Sequence, residues 1–477
     1  MPLDPAEAAA PDLSLIEVSS RIADRRVSPT ELTESMLARI ETHDGALRSY
    51  QHVMADSARA EAAKAEAEIA AGLHRGPLHG VPFAVKDLCR THDAPTAAGM
   101  KLHEGYMAGY DSTVVARLRQ AGAVILGKLA MTEGAFANHH PDMPTPVNPF
   151  APNLWAGASS SGSGSATAAG LCFGSLGSDT GGSIRFPSHA NGLTGLKATW
   201  GRVSRHGVFA LADSLDHVGP MARTAADCAA ILAAIAGPDG YDPTALAAPV
   251  DDYLAACGAP ISGLRIGLDP AVVATLDPQI AAAIEAAAAA FESLGARIAP
   301  MTMPDAGGLM DAWSAICGIE CLIAHRETWP ARRDEYGPGL VAVLEGAQDI
   351  PAMAVGDAMQ RRLAYCGAWE TAVQDIDMVL MPILAKPTPD RVAWEAFKNG
   401  DEGGLTIEEL LTHTAPADMT GHPALTLPAG VDDRGGPIGV QLIGAKLAEA
   451  QLFSVGHAFQ TVTDWHIRRP DLSALPA

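Results

Sequence analysis

Val81-Pro82-Phe83-Ala84-Val85 is followed by a helical pattern over Ser112 to Gln120, and then by Ala123-Val124-Ile125-Leu126. Short apolar runs alternating with helical segments read as strand, helix, strand, the texture of a parallel or mixed sheet flanked by helices. The pattern recurs downstream. Leu264-Arg265-Ile266-Gly267 leads into a helix that opens at Asp277-Pro278 and closes at Gly295, and Ala296-Arg297-Ile298 follows as a second strand. Leu425-Thr426-Leu427 and Ile438 to Leu442 return to strand texture around the turn Asp432-Asp433-Arg434-Gly435-Gly436. The fold class is therefore α/β. No linker and no repeat of 20 to 50 residues interrupts the chain, so residues 1–477 read as one domain. Residues 1–72 form a helical N-terminal segment, with a capping box at Ser28-Pro29-Thr30-Glu31 and an Ala-, Glu- and Lys-rich run from Ala55 to Ala71, both expected to lie outside the core. Residues 73–235 carry the motifs described next, and 305–412 read as a more helical layer over the sheet and the substrate pocket.

The chain of 477 residues has 33 Lys+Arg against 55 Asp+Glu, a net charge of −22, which argues against a nucleic-acid binder with its basic face. With 48% hydrophobic and 18% charged residues it can bury a large core. The uncharged stretch Leu154 to Ser178 is mostly Ser, Gly and Ala, not the roughly 20 apolar residues of a membrane span. The opening Met1-Pro-Leu-Asp-Pro-Ala-Glu is acidic where a signal peptide is basic and then apolar. Seven scattered cysteines, without Cys-x-x-Cys, fit a reduced compartment, and the expected location is the cytoplasm.

Three elements carry chemistry. Gly157-Ala-Ser-Ser-Ser-Gly-Ser-Gly-Ser165 reads either as a flexible linker or, because it passes abruptly into small helical residues, as a loop gathering hydroxyls and N–H groups at a helix N-terminus. Gly177-Ser-Asp-Thr-Gly-Gly-Ser-Ile-Arg185 is an ordinary tight turn or a set of amides converging on one oxyanion. Lys86 lies in Val81-Pro-Phe-Ala-Val-Lys-Asp-Leu88, on the same strand face as Ala84 and Leu88. It is either a snorkelling or salt-bridged lysine, with Asp87 as one candidate partner, or a desolvated amine whose lowered pKa suits it to act as a base. Rival chemistries find no support. Neither Gly-x-Ser-x-Gly nor His-Glu-x-x-His occurs, and Gly122-Ala-Val-Ile-Leu-Gly-Lys-Leu129 lacks the Ser/Thr of a phosphate loop. His139-His140 has no second ligand pair, so no metal site is read.

Together the three elements resemble the amidase signature family of serine hydrolases. The stretches Gly201 to Gly207, Ser214 to Arg223 and Thr420 to Pro428 are also similar to it, so that the resemblance spans nearly the whole chain and is least distinctive from about 240 to 410. It departs at Ala158, where many members carry glycine, and at Ser178, where threonine is common. The resemblance implies a large mixed, mostly parallel β-sheet between helix layers, Ser183 as nucleophile, Ser159 as a bridging serine after a cis peptide, and Lys86 as terminal base. It further implies backbone oxyanion donors at Thr180, Gly181, Gly182 and Ser183, support from Ser160, Asp179 and Arg185, and no cofactor.

The expected activity is hydrolysis of an amide, and by extension a carbamate or ester, of a small hydrophobic or aryl compound by a monomer or homodimer that needs no nucleic acid or membrane. The alternative is the glutaminase component of a tRNA-dependent amidotransferase, disfavoured by the acidic chain and by apolar Phe136 and Trp155 near the motif. Pocket walls are expected in Glu133 to Asn138, the 309–330 helix and Pro387 to Thr414, with Phe136, Asn138, Trp155 and Cys317 as candidate residues. For Cys317 and Cys321 the simpler reading is core packing.

Overall fold

The structure, a computed structural model, describes residues 13–136, 138–399 and 405–475. Eleven strands form one sheet: β1 (Tyr50–Val53), β2 (Pro82–Lys86), β3 (Val124–Leu129), β4 (Gly174–Asp179), β5 (Thr194–Lys197), β6 (His217–Ala222), β7 (Arg265–Leu268), β8 (Arg297–Pro300), β9 (Met378–Pro382), β10 (Ala424–Val431) and β11 (Pro437–Gly444). Their order across the sheet is β1-β3-β2-β4-β6-β5-β10-β11-β9-β7-β8. The two units that set the fold class are where they were expected. β2 and β3 run parallel through the helix Thr113–Gln120, and β7 and β8 run parallel through Pro278–Ser293.

The sheet is mixed, but not mostly parallel. Among the described residues six of its ten neighbouring pairs are antiparallel and four parallel. Parallel neighbours need a crossover helix, and such crossovers serve only the two flanks. The middle, β4-β6-β5-β10-β11-β9, is antiparallel throughout. The turn at Asp432 to Gly436 closes the β10–β11 hairpin, with Asp432 Oδ1 accepting from Gly436 N at 2.7 Å.

The N-terminal helices are not peripheral. Leu15, Val18 and Ile22 of Leu15–Ala23, Leu32, Met36 and Ile40 of Pro29–Leu47, and Ala58 and Ala62 of Ala55–Ala70 all join the main hydrophobic core. Alanine is short enough to let Ala55–Ala70 lie close on β3, so a run that reads as solvated buries one face. The tract 305–412 contains Leu309–His325, Pro338–Gln348 and Ala352–Ala372, which pack on one another, and also β9, a sheet strand that the helical texture around it concealed.

Small residues position the site. From Gly157 to Gly170 every residue is buried, and Ser161–Ala168 packs against β2, β3, β4 and β6. The hydroxyls survive burial because each finds a partner: Ser163 Oγ donates to Leu176 O at 2.9 Å, Ser165 Oγ to Val147 O at 2.7 Å, and Thr167 Oγ1 meets Ser175 Oγ at 2.8 Å. This is a packed core helix, and the flexible-linker reading fails.

Candidate active site

The parallel neighbours β2 and β4 end side by side, which brings Lys86 at the end of β2 next to Ser178 and Asp179 at the end of β4. The carboxyl ends of such strands are where α/β sheets expose their functional groups. The loop entering Ser161–Ala168 reaches the same point, through a cis peptide at Ala158–Ser159. Lys86 Nζ is hydrogen-bonded to Ser159 Oγ at 2.7 Å, Ser160 Oγ at 2.9 Å and Ser178 Oγ at 2.9 Å. Ser183 is half-buried and lines the same cleft as Ser159, and its carbonyl accepts from Ser160 N at 3.3 Å.

Asp87 does not pair with Lys86. It lies 3.1 Å from Lys128 Nζ, which also donates to Thr96 Oγ1. Lys86 is thus fully buried among hydroxyls, and burial pulls its pKa down from 10.5 to about 7, against the weaker opposing pull of Cys89, Asp179 and Asp216. A neutral amine donates two hydrogen bonds and accepts one. Ser160 Oγ already donates to Ser178 O at 3.2 Å, so it accepts from the lysine, and the proton offered to the lysine lone pair comes from Ser159 or Ser178. Ser159 is the nearer.

A buried ion pair braces the loop from Thr180 to Ile184. Arg185 Nη2 and Nε hold Asp179 at 2.9 and 3.1 Å, and Nη2 also reaches Asp418 at 2.6 Å, while Nη1 donates to Thr414 O and to Gln441 Oε1. Burial by itself would raise the Asp179 carboxyl, but the Arg185 guanidinium prevails and holds it well below the usual carboxylate range. Asp179 in turn accepts from Gly182 N at 2.6 Å and Ile184 N at 3.0 Å. Gly182, expected among the oxyanion donors, therefore turns its N–H away to Asp179. The amides of Thr180, Gly181 and Ser183 donate to no group among the described residues. Two glycines are required here. Gly157 has φ +81°, where a Cβ would strike the Pro187 backbone, and Gly182 has φ +135°, where it would strike the Phe186 ring.

We expect Arg185→Met to lower stability by roughly 3–5 kcal/mol, because it strands Asp179 and Asp418 in the core. The denaturant midpoint measures this. A midpoint unchanged from wild type would show that the pair does not brace the loop.

A narrow cleft open to solvent lies above Ser183. Its walls are Phe136, Trp155, Phe186, Leu211, Trp313, Trp394, Ile407, Leu410 and Leu411, and among the described residues none that lines it is charged. Phe136 and Trp155 are walls as expected. Asn138 is not, since its carboxamide lies against Gly339 and its carbonyl accepts from Glu133 N at 2.7 Å. Nor is Cys317, which is fully buried one helical turn beyond Trp313. It is Trp313 that reaches the cleft, and its Nε1 donates to Thr180 O at 2.9 Å. Three further residues had no role assigned from sequence. Ser178 is the third hydroxyl on Lys86. Asp216, inside a stretch quoted for its resemblance, accepts from Thr180 Oγ1 at 2.6 Å, and burial raises its carboxyl to about 6. Asp418 completes the Arg185 pair. The one metal-like group among the described residues, His92, Asp93 and Asp111, is already spanned by Arg119, at 2.8 Å from Asp93 and 3.0 Å from Asp111.

The amidase family profile matches residues 31–453 of this chain. The chain belongs to the amidase signature family. It is 47% identical over 467 residues, 97% of each chain, to a Mycobacterium tuberculosis protein named "Putative amidase AmiD". It is 38% identical over 490 residues to the A chain of the Pseudomonas putida glutamyl-tRNA(Gln) amidotransferase, covering 96% of this chain and 99% of that one. Among solved structures, 6-aminohexanoate cyclic dimer hydrolase complexed with substrate superposes with a TM-score of 0.88 at 27% identity, covering 97% of this chain and 99% of that one. This amidase signature enzyme is accordingly an amidohydrolase. Among the described residues no helix is long and apolar enough to cross a membrane.

Proposed function

We propose that the enzyme is a free-standing amidohydrolase for small aryl or otherwise flat hydrophobic amides, acting through an acyl-enzyme on Ser183. Ser183 Oγ attacks the carbonyl carbon, and its proton passes through Ser159 to the neutral Lys86 amine. The amides of Gly181 and Ser183, with Thr180 beside them, are the donors for the resulting oxyanion. The proton then returns through Ser159 to the leaving nitrogen as the C–N bond breaks, and water attacks the ester to release the acid and free Ser183. The observation that carries the choice of substrate is the wall of five aromatic side chains around Ser183, Phe136, Trp155, Phe186, Trp313 and Trp394, with no charge among them. Carbamates and esters of the same shape present the same electrophilic carbon and fall within this reading.

The likeness to the Pseudomonas putida amidotransferase chain supports a second reading, a glutaminase that delivers ammonia to a partner. Glutamine carries an ammonium and a carboxylate, and burying them without opposite charges is costly. A cleft whose described walls are uncharged favours the first reading. The purified protein alone, given an acyl anilide, an N-aryl carbamate and glutamine, decides between them. We expect aniline from the anilide and no ammonia from glutamine. Ammonia without aniline would establish the glutaminase instead.

A further inference from the structure

Trp155 is held unusually firmly for a pocket side chain. Its backbone N–H donates to Pro389 O at 2.9 Å, its carbonyl accepts from Asn148 Nδ2 at 3.1 Å, and the neighbouring Leu154 forms a β-bridge with Asp390. The indole lies against Trp394, with ring centroids 4.1 Å apart and planes at 23°, and its other neighbour is Phe186 at 5.8 Å. The residue is 4% exposed and lines the cleft only four positions before Ser159. Its Nε1–H is buried and nevertheless has no hydrogen-bond partner among the described residues, unlike that of Trp313 in the same cleft, which is satisfied by Thr180 O. A buried indole N–H ordinarily finds an acceptor, and a site with an unpaired donor discriminates for ligands that supply one.

We infer that Trp155 is a specificity-determining residue, whose indole N–H donates to an acceptor atom that the substrate carries outside its scissile amide, while the stacked Trp155–Trp394 pair walls the space that takes its planar group. The substrate class narrows from flat hydrophobic amides to aryl amides bearing an ether, carbonyl or similar acceptor. This rests on the hydrolase reading above for its kinetic consequence, but not for the binding contact itself.

The test pairs methoxy-substituted acetanilides with their ethyl isosteres, at the ortho, meta and para positions, on wild type and Trp155→Phe. Phenylalanine keeps an aromatic face and removes the donor. Wild type should prefer the ether over the ethyl compound by about tenfold in kcat/KM at one position or more, through KM, as one neutral hydrogen bond allows. Trp155→Phe should bring that ratio to about one. A mere loss of packing lowers both members of a pair together and leaves the ratio alone. No preference in wild type at any position, or an unchanged ratio in the variant, overturns the inference. A second measurement stands apart from turnover and from the folding of Trp155→Phe. In 15N-tryptophan-labelled Ser183→Ala protein, the methoxy compound should move one indole N–H resonance downfield and its ethyl isostere should not, and Trp155→Phe should delete that resonance. Equal shifts, or none, refute the contact. A selective shift without aniline release from wild type would sink the anilide hydrolase reading and keep the role of Trp155.

Discussion

Ser183→Ala is expected to lower kcat for amide hydrolysis by on the order of 10⁴-fold or more, the scale at which losing a serine nucleophile is felt. The variant keeps the loop geometry, because the Ser183 carbonyl, not its hydroxyl, accepts from Ser160 N, and because Asp179 grips Gly182 and Ile184 on either side. KM should therefore change little, and the loss should sit in kcat. A fluorophosphonate gives an independent readout: it should add one equivalent to wild type at Ser183 and none to Ser183→Ala. Retention of even a tenth of the wild-type rate would assign the nucleophile elsewhere.

The second large effect concerns Lys86. With its pKa near 7, the amine is protonated below that pH and cannot accept the Ser159 proton, whereas above it the lone pair is free. The rate should therefore rise about tenfold per pH unit up to about pH 7 and level off above about pH 8, provided chemistry limits turnover. The sign follows from desolvation: in water the same lysine, at 10.5, would leave only a small neutral fraction at neutral pH. Lys86→Ala should cost on the order of 10²- to 10⁴-fold in kcat and remove the limb near pH 7. A wild-type profile flat from pH 6 to 9 would exclude lysine as the base.

Much of this fold is legible in the chain itself. The runs at 81–85 and 123–126 carry the strand signal because they are short, apolar and separated by a recognisable helix. β9 is hidden because Met378–Pro382 stands alone between helices, and a five-residue apolar run without a paired neighbour in sequence is not distinguishable from a buried helical segment. The antiparallel middle escapes notice because pairing direction between strands distant in sequence leaves no local trace. At the site, Lys86, Ser159 and Ser183 announce themselves by motif, whereas the walls do not. Trp155 and Trp394 meet only because Leu154 bridges to Asp390, and the helix carrying Cys317 offers the cleft its tryptophan, one turn earlier. Gly182 misleads because the amides of its motif do not all face one way, its own N–H tying the loop to Asp179.

The Arg185 brace also has a temporal meaning. Its partners beyond Asp179 lie 229, 233 and 256 positions away, at Thr414, Asp418 and Gln441. A ribosome adding about 5–20 residues per second needs roughly 13–50 s to travel from Arg185 to Gln441. Through that interval the nascent chain already holds Lys86, Ser159 and Ser183, yet it lacks the groups that steady the Ser183 loop. Contacts this remote are also slow to form once available. The fold thus postpones its own reactivity, and the serine proposed to attack acyl groups is set in place only after most of the protein around it has been made.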